Sequence, residues 1–125
     1  MLAVQYDHRR SGDVMEISDE FTGDICVVSA RGRLDGNSSE QFGGRLQALI
    51  APDRSKLLVD FSGINFVTSA GLRAVILVLK KVKAANGVFA LCAVQAPVRE
   101  VLEITGFTSM LQIYPDRAGA ISALS

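Results

Sequence analysis

The residue types best placed to do chemistry in this chain lie in the run Val67-Thr68-Ser69-Ala70-Gly71-Leu72, where an apolar strand residue leads through two hydroxyl residues into a helical pattern. Ser69 there suits an N-cap, its oxygen accepting from a free backbone N–H of the first turn. The same position also suits a phosphate, because the free N–H groups and dipole of a helix N-terminus favour negative charge. A phosphate would add about −1.5 to −2 charge without melting the helix, so it would change what the surface binds and leave the fold intact. The residue types alone leave both readings open.

Catalysis finds little to work with. The segment Gly32-Arg33-Leu34-Asp35-Gly36 lacks the Lys-Ser/Thr of a P-loop and the GxGxxG of a dinucleotide fold. A Ser or Cys nucleophile wants a base. The single histidine, His8, lies in the polar start of the chain with no ligand-spaced partner, which also argues against a metal site. Asp35 and Asp60 remain as an acid and base in principle, but Asp60 at the end of a strand reads more simply as a cap on the turn after it. Cys26 and Cys92 each sit in an apolar β-branched run, where free Cys packs as a small hydrophobe. The expectation is a non-enzyme with no catalytic residue, no metal and no cofactor.

Composition narrows the partners. The 125 residues are 49% apolar, and 13 Lys and Arg balance 13 Asp and Glu. One globular domain of this size buries roughly two thirds of its unfolded surface and needs no staple. Basic residues are scattered apart from Lys80, Lys81 and Lys83, which is not the footprint of nucleic-acid binding. The longest apolar run, 74–79, is far short of the ~20 residues of a membrane span, and 1–10 has no apolar leader. A cytoplasmic protein with no direct membrane insertion is expected.

The elements that must position the hydroxyl residues follow from periodicity. Residues 1–13 are a polar extension, and Val14, Met15 and Ile17 alternate as a strand does. A turn over 20–24 leads to a more completely apolar strand, 24–31, that belongs at the centre of a sheet. Residues 32–38 form a turn, and Phe42, Leu46, Leu49 and Ile50 define a helix over 38–51 that Pro52 stops. Gly43-Gly44 within it implies close approach to a neighbouring strand. A short strand, 56–60, is broken at Gly63. The helix over 69–85 turns Leu72, Val75, Ile76, Leu79 and Val82 inward and Arg73, Leu77, Lys80 and Lys81 outward, and Asn86-Gly87 ends it. A strand over 88–93 precedes a helix opened by Pro97 with an apolar stripe of Val98, Val101, Leu102 and Ile104. A strand over 111–114 leads to a last helix that Pro115 opens and that buries Ala118, Ile121 and Leu124. This β-β-α-β-α-β-α-β-α order calls for parallel strands joined by helical crossovers, with the opening hairpin antiparallel at one edge.

The run Leu58-Val59-Asp60-Phe61-Ser62-Gly63-Ile64-Asn65-Phe66-Val67-Thr68-Ser69-Ala70-Gly71-Leu72 resembles the signature of the STAS domain, in particular of bacterial anti-sigma factor antagonists. Gly32-Arg33-Leu34-Asp35 is similar to the family's Gly-x-Leu-Asp turn, and Leu102-Glu103-Ile104-Thr105-Gly106-Phe107 to its Leu-x-x-x-Gly-Leu/Phe segment. The resemblance spans about 14–124. It implies an α/β STAS fold over 14–125: a mixed, mainly parallel sheet with an N-terminal antiparallel strand and about four helices.

It also implies a partner-switching regulator of transcription. In that family the serine that begins the helix is phosphorylated by a serine/threonine kinase that doubles as the anti-sigma factor, and a PP2C-type phosphatase reverses it. Unphosphorylated antagonist binds the kinase and frees the sigma factor. Ser69 is the acceptor by position. Many phosphorylated members carry Asp just before the serine, where this chain has Thr68, so Thr68 is a second candidate. Asp35 falls by resemblance near the acceptor, in the partner-facing surface, and Asn37 beside it. Thr68, Ala70 and Gly71 belong to that surface as well. Arg73 and Leu77 add an apolar centre with a charged rim, the makings of a modest interface. The rival readings are an unphosphorylated STAS scaffold or subunit, for example of a lipid-transport assembly, a small-molecule sensor, and an enzyme built on Asp35 and Asp60.

Overall fold

A computed structural model of the chain describes residues 15–51 and 55–125. The expected extension 1–13, Val14 and the helix stop at Pro52 lie outside the described residues. The elements run β1 (Glu16–Thr22), β2 (Ile25–Leu34), α1 (Ser39–Ala48), β3 (Lys56–Val67), α2 (Ser69–Ala84), β4 (Val88–Cys92), α3 (Ala96–Ile104), β5 (Gln112–Tyr114) and α4 (Arg117–Leu124), with a 3₁₀ turn at Phe107–Ser109. The strands form a five-stranded sheet in chain order. β1 is antiparallel to β2, and every later pairing is parallel, as the alternation of strands and helices requires.

Several boundaries differ from those the sequence suggests, each for a physical reason. β1 stays paired through Thr22, opposite Ile25, so the turn shrinks to Gly23 and Asp24 with Gly23 in the left-handed region at φ 63°. β2 continues through the glycine-containing segment to Leu34, and the middle of the sheet is β3, with β2 beside it. β3 is one continuous strand. The irregularity expected at Gly63 is absorbed as shifts of register against β2, between Ser29 and Arg31 and between Gly32 and Arg33. A Cβ on Gly63 would stand 2.8 Å from the Ala30 carbonyl oxygen, so this glycine marks close backbone approach rather than a break. In α1, Gly43 approaches Ala74 of α2 and not a strand, while Gly44 faces open space.

The two faces of the sheet are unequal. On one, α1, α2 and α3 bury Phe42, Leu46, Val75, Val78 and Leu102 against Val28, Val59, Phe61 and Leu91. On the other, among the described residues, α4 lays Ala120 and Leu124 over Ile25, Val27, Leu58 and Ala90. Ile104, expected in the α3 stripe, is 80% exposed at the last turn of that helix. Ala118 is exposed and Ile121 half-buried, because Asp116 caps α4 through the Gly119 N–H and sets its inward row at 120 and 124. Cys26 and Cys92 are buried on opposite faces with β3 between them. Burial, then the Asp60 charge, pushes the Cys92 thiol up to about 11, so it packs as the expected hydrophobe.

Asp60 does not end a strand. It sits buried within β3, where Oδ1 accepts from the Ser62 N–H at 2.8 Å and Oδ2 accepts from Arg117 Nη2 at 2.9 Å and Nε at 3.2 Å. Arg117 Nη2 also donates to Ser29 Oγ at 2.7 Å. These contacts fasten the start of α4 to the sheet. Burial pushes the Asp60 carboxyl up, but the Ser62 N–H and hydroxyl and the Arg117 guanidinium outweigh it and hold the group below the usual carboxylate range. A carboxyl depressed in the folded state adds stability above its unfolded value of about 3.9, and that stability is lost as pH falls through the folded value. Arg117→Met is expected to cost about 1–3 kcal/mol at neutral pH by urea unfolding, through the stranded carboxylate. The gap from wild type should narrow below about pH 4, as Asp60 takes up a proton.

Candidate functional site

The site grows from the end of β2. Register pairs Leu34 with Val67, so the last residue of β2 stands beside the chain as it leaves β3 for α2. The Leu34 carbonyl accepts from the Thr68 N–H at 3.0 Å. Gly71, buried one turn on, presses against the same carbonyl: a Cβ there would overlap the oxygen and stand 2.8 Å from Leu34 Cγ. The start of α2 is thereby clamped to the strand end.

This clamp decides which hydroxyl caps the helix. Thr68 is held extended at φ −107° and ψ 177°, and its Oγ1 accepts from the Gly71 N–H at 3.3 Å. The N-cap is therefore Thr68, and the expectation that Ser69 caps is corrected by one residue. Ser69 is the first residue within α2. It is exposed, and its hydroxyl makes no hydrogen bond among the described residues.

Next to this start lies the turn that joins β2 to α1. Asp35 Oδ1 accepts from the N–H groups of Asn37 at 3.0 Å and Ser38 at 3.2 Å, and Arg33 Nε lies 3.5 Å from Oδ2. Ser38, 2% exposed, donates its hydroxyl to the Arg33 carbonyl and accepts from the Asp35 N–H at 3.0 Å. Burial pushes the Asp35 carboxyl up, yet the Asn37 and Ser38 N–H groups, the Ser38 hydroxyl and Arg33 hold it below the usual range. Asp35 is an ionised organiser of its own loop, and Asn37 stands exposed at the tip.

Two clefts flank the outward face of α2. One, of about 330 Å³, runs between α1 and α2 and is lined by Glu40, Gly43, Gln47, Ala70, Arg73 and Leu77. The other, of about 320 Å³, is bounded by Ser69, Leu72, Arg73, Ile76, Thr105 and Phe107. Arg73 lines both, and Leu77 is 49% exposed between them and the C-terminal lysines. Of the residues singled out in the sequence, Ser69, Ala70, Arg73 and Leu77 share this face, while buried Gly71 shapes it from beneath. Phe66 escapes a reading of the sequence. Its ring, 40% exposed, lies 4.0 Å beneath the Arg33 guanidinium, a contact set by the shifted β2–β3 register that pairs the two residues. Among the described residues no group of His, Cys, Asp and Glu is placed to hold a metal, and no helix is long and apolar enough to cross a membrane.

Comparison with known proteins agrees with this fold. The family model for the STAS domain matches residues 16–120. BtrV of Bordetella bronchiseptica, described as a candidate anti-sigma factor antagonist, is 28% identical over 109 residues, 87% of this chain and 94% of that protein. An anti-sigma factor antagonist from Mycobacterium paratuberculosis superposes with a TM-score of 0.80 at 24% identity, over 90% of this chain and 95% of that one. The Bacillus cell fate determinant SpoIIAA, solved in its phosphorylated form, superposes with a TM-score of 0.69 at 20% identity, over 88% of this chain and all of that one.

The division of labour between the hydroxyls and the glycine is measurable by urea unfolding. Thr68→Ala is expected to lose about 0.5–2 kcal/mol with its cap, and Ser69→Ala less than about 0.5 kcal/mol, as for an exposed residue without partners. Gly71→Ala should cost about 1–3 kcal/mol, because backbone rather than a yielding side chain blocks the new Cβ.

Proposed function

Because the chain belongs to the STAS-domain family, we propose that it is an anti-sigma factor antagonist, a cytoplasmic partner-switching regulator controlled by phosphorylation of Ser69. The observation that carries the reading is the exposed, uncommitted Ser69 hydroxyl at the first position of α2, bordering a cleft on the face that also presents Ala70, Arg73 and Leu77. The antagonist description of BtrV and the phosphorylated form of SpoIIAA support it. Thr68 is the poorer acceptor, since its oxygen already caps the helix.

In this mechanism the partner is a serine/threonine kinase that doubles as the anti-sigma factor. It docks on the surface formed by Asp35, Asn37, Thr68, Ala70, Arg73 and Leu77, which buried Gly71 shapes from beneath. A phosphate on Ser69 adds charge to an interface of hydroxyl and apolar groups, which then has to be desolvated on binding. Arg73 follows Ser69 by four residues, the spacing at which opposite charges on a helix meet. The phosphate draws Arg73 to itself and away from the partner. A loss of ~3 to 4 kcal/mol, a few hundredfold in affinity, suffices to release the kinase. A PP2C-type phosphatase resets the surface.

Intact mass after incubation with ATP and an anti-sigma factor serine/threonine kinase from the same organism tests the reading. Wild type and Thr68→Ala should gain one phosphate and Ser69→Ala none. Ser69→Asp should weaken kinase binding by at least about tenfold. An unmodified wild-type chain beside a demonstrably active kinase would instead favour a scaffold role.

A further inference from the structure

The charges of this protein balance overall, but not locally. Ten Lys and Arg are described, and six of them, Arg31, Arg33, Arg45, Lys56, Arg99 and Arg117, each lie within ion-pair distance of a carboxylate. The other four, Arg73, Lys80, Lys81 and Lys83, have no such partner among the described residues. All four belong to α2, a helix with no acidic residue.

Helix chemistry explains only part of this. Lys81 and Lys83 lie in the last turn of α2, where cations suit the negative end of the dipole. Arg73 lies near the opposite end, where a cation is disfavoured, and Lys80 and Lys83 form a like-charge i, i+3 pair that costs rather than adds stability. At about 100° per residue, Arg73, Leu77, Lys80 and Lys81 fall within one arc of roughly 100°. An exposed leucine thus stands among cations without ion-pair partners among the described residues, beside the α1–α2 cleft, which is floored by the small residues Gly43, Ala70 and Ala74 and carries Glu40 on its α1 side.

We propose that the outward face of α2 is a docking surface for an acidic, amphipathic helical segment of a protein partner. An apolar side chain of that segment covers Leu77 and enters the α1–α2 cleft. Its carboxylates meet Arg73, Lys80 and Lys81. Charge complementarity identifies the occupant: three cations around one leucine suit carboxylates flanking an apolar row, whereas a membrane-surface helix needs a broad apolar face. The surface extends the proposed interface about two turns along α2 beyond Ser69. It rests on the antagonist reading for the partner's identity, and not for its own chemistry.

The full-length chain, labelled with ¹⁵N, is titrated with a synthetic Leu/Glu amphipathic peptide of about five helical turns, with its Leu/Lys counterpart, and with phosphatidylglycerol vesicles. The acidic peptide should saturate, shift the amides of Arg73, Leu77, Lys80 and Lys81, and bind more weakly as salt is raised. The double variant Lys80→Glu, Lys81→Glu and the single variant Leu77→Asp should each weaken it at least about tenfold, with the remaining amide spectrum reporting an intact fold. Arg99→Glu, on α3, should bind as wild type does. Equal binding of both peptides, shifts centred elsewhere, no saturation, or binding of vesicles alone would overturn the proposal. No kinase or ATP is present, so a Ser69 that is never phosphorylated leaves this result standing, and a peptide that fails to bind leaves the Ser69 mass test standing.

Discussion

The contact on which the site depends is that of Gly71 with the carbonyl of Leu34. A strand end and a helix start seldom approach so closely, because a side chain between them would hold them apart. Without a Cβ at Gly71, the Leu34 carbonyl accepts from Thr68 while the first turn of α2 lies against it. That fixes Thr68 as the cap, and capping by Thr68 leaves Ser69 outside, with its hydroxyl uncommitted. It also sets the Asp35 turn beside α2, since Asp35 follows Leu34 directly. One missing methyl group thus governs the placement of two loops and the exposure of one hydroxyl.

The opposite sheet face shows polar groups used for anchoring. Arg117 spends its guanidinium on Asp60, Ser29 and Glu20, and the cavity of about 380 Å³ around it is lined by groups that largely satisfy one another. An ion pair so engaged has little left for a ligand. The bases of α2 are in the reverse condition, exposed and without carboxylate partners among the described residues. Charge on one face fastens a short helix to the sheet, and charge on the other is open to a partner.

The strand and helix order was legible because each element carries its own period and its own stop, as in the inward row of α2 and Asn86-Gly87 after it. What escaped was set by pairing across the sheet. Gly63 reads as a break in isolation, and only opposite Ala30 does it become a close approach within one strand. The shift from Ser69 to Thr68 has the same origin. Either hydroxyl can cap a helix, and the choice falls to a carbonyl more than thirty residues earlier in the chain. Ile104 belongs by spacing to the α3 stripe, but the helix ends there and nothing covers it. The surface residues Arg73 and Leu77 were visible as outward positions, whereas the lack of a counter-charge for Arg73 among the described residues required knowing where their carboxylates go.

A rigid helix start has a consequence for how such a site can signal. Cap, glycine contact and strand end over-determine the backbone at Thr68 to Gly71, so a group added at Ser69 is poorly placed to act by moving the helix. In the proposed switch it would act through charge, and charge matters according to what already surrounds it. On a helix whose bases were all paired, one phosphate would be partly neutralised by rearranged salt bridges. On α2 the nearest base, Arg73, has no ion-pair partner among the described residues, so a phosphate four residues away would meet it without first breaking another bond. The same absence of counter-charge that leaves Arg73 open to an acidic partner leaves it open to a phosphate. In the proposed switch, partner and phosphate would then compete for one guanidinium, so an addition at the start of α2 would be felt a full turn along the helix while the backbone stays where Leu34 holds it.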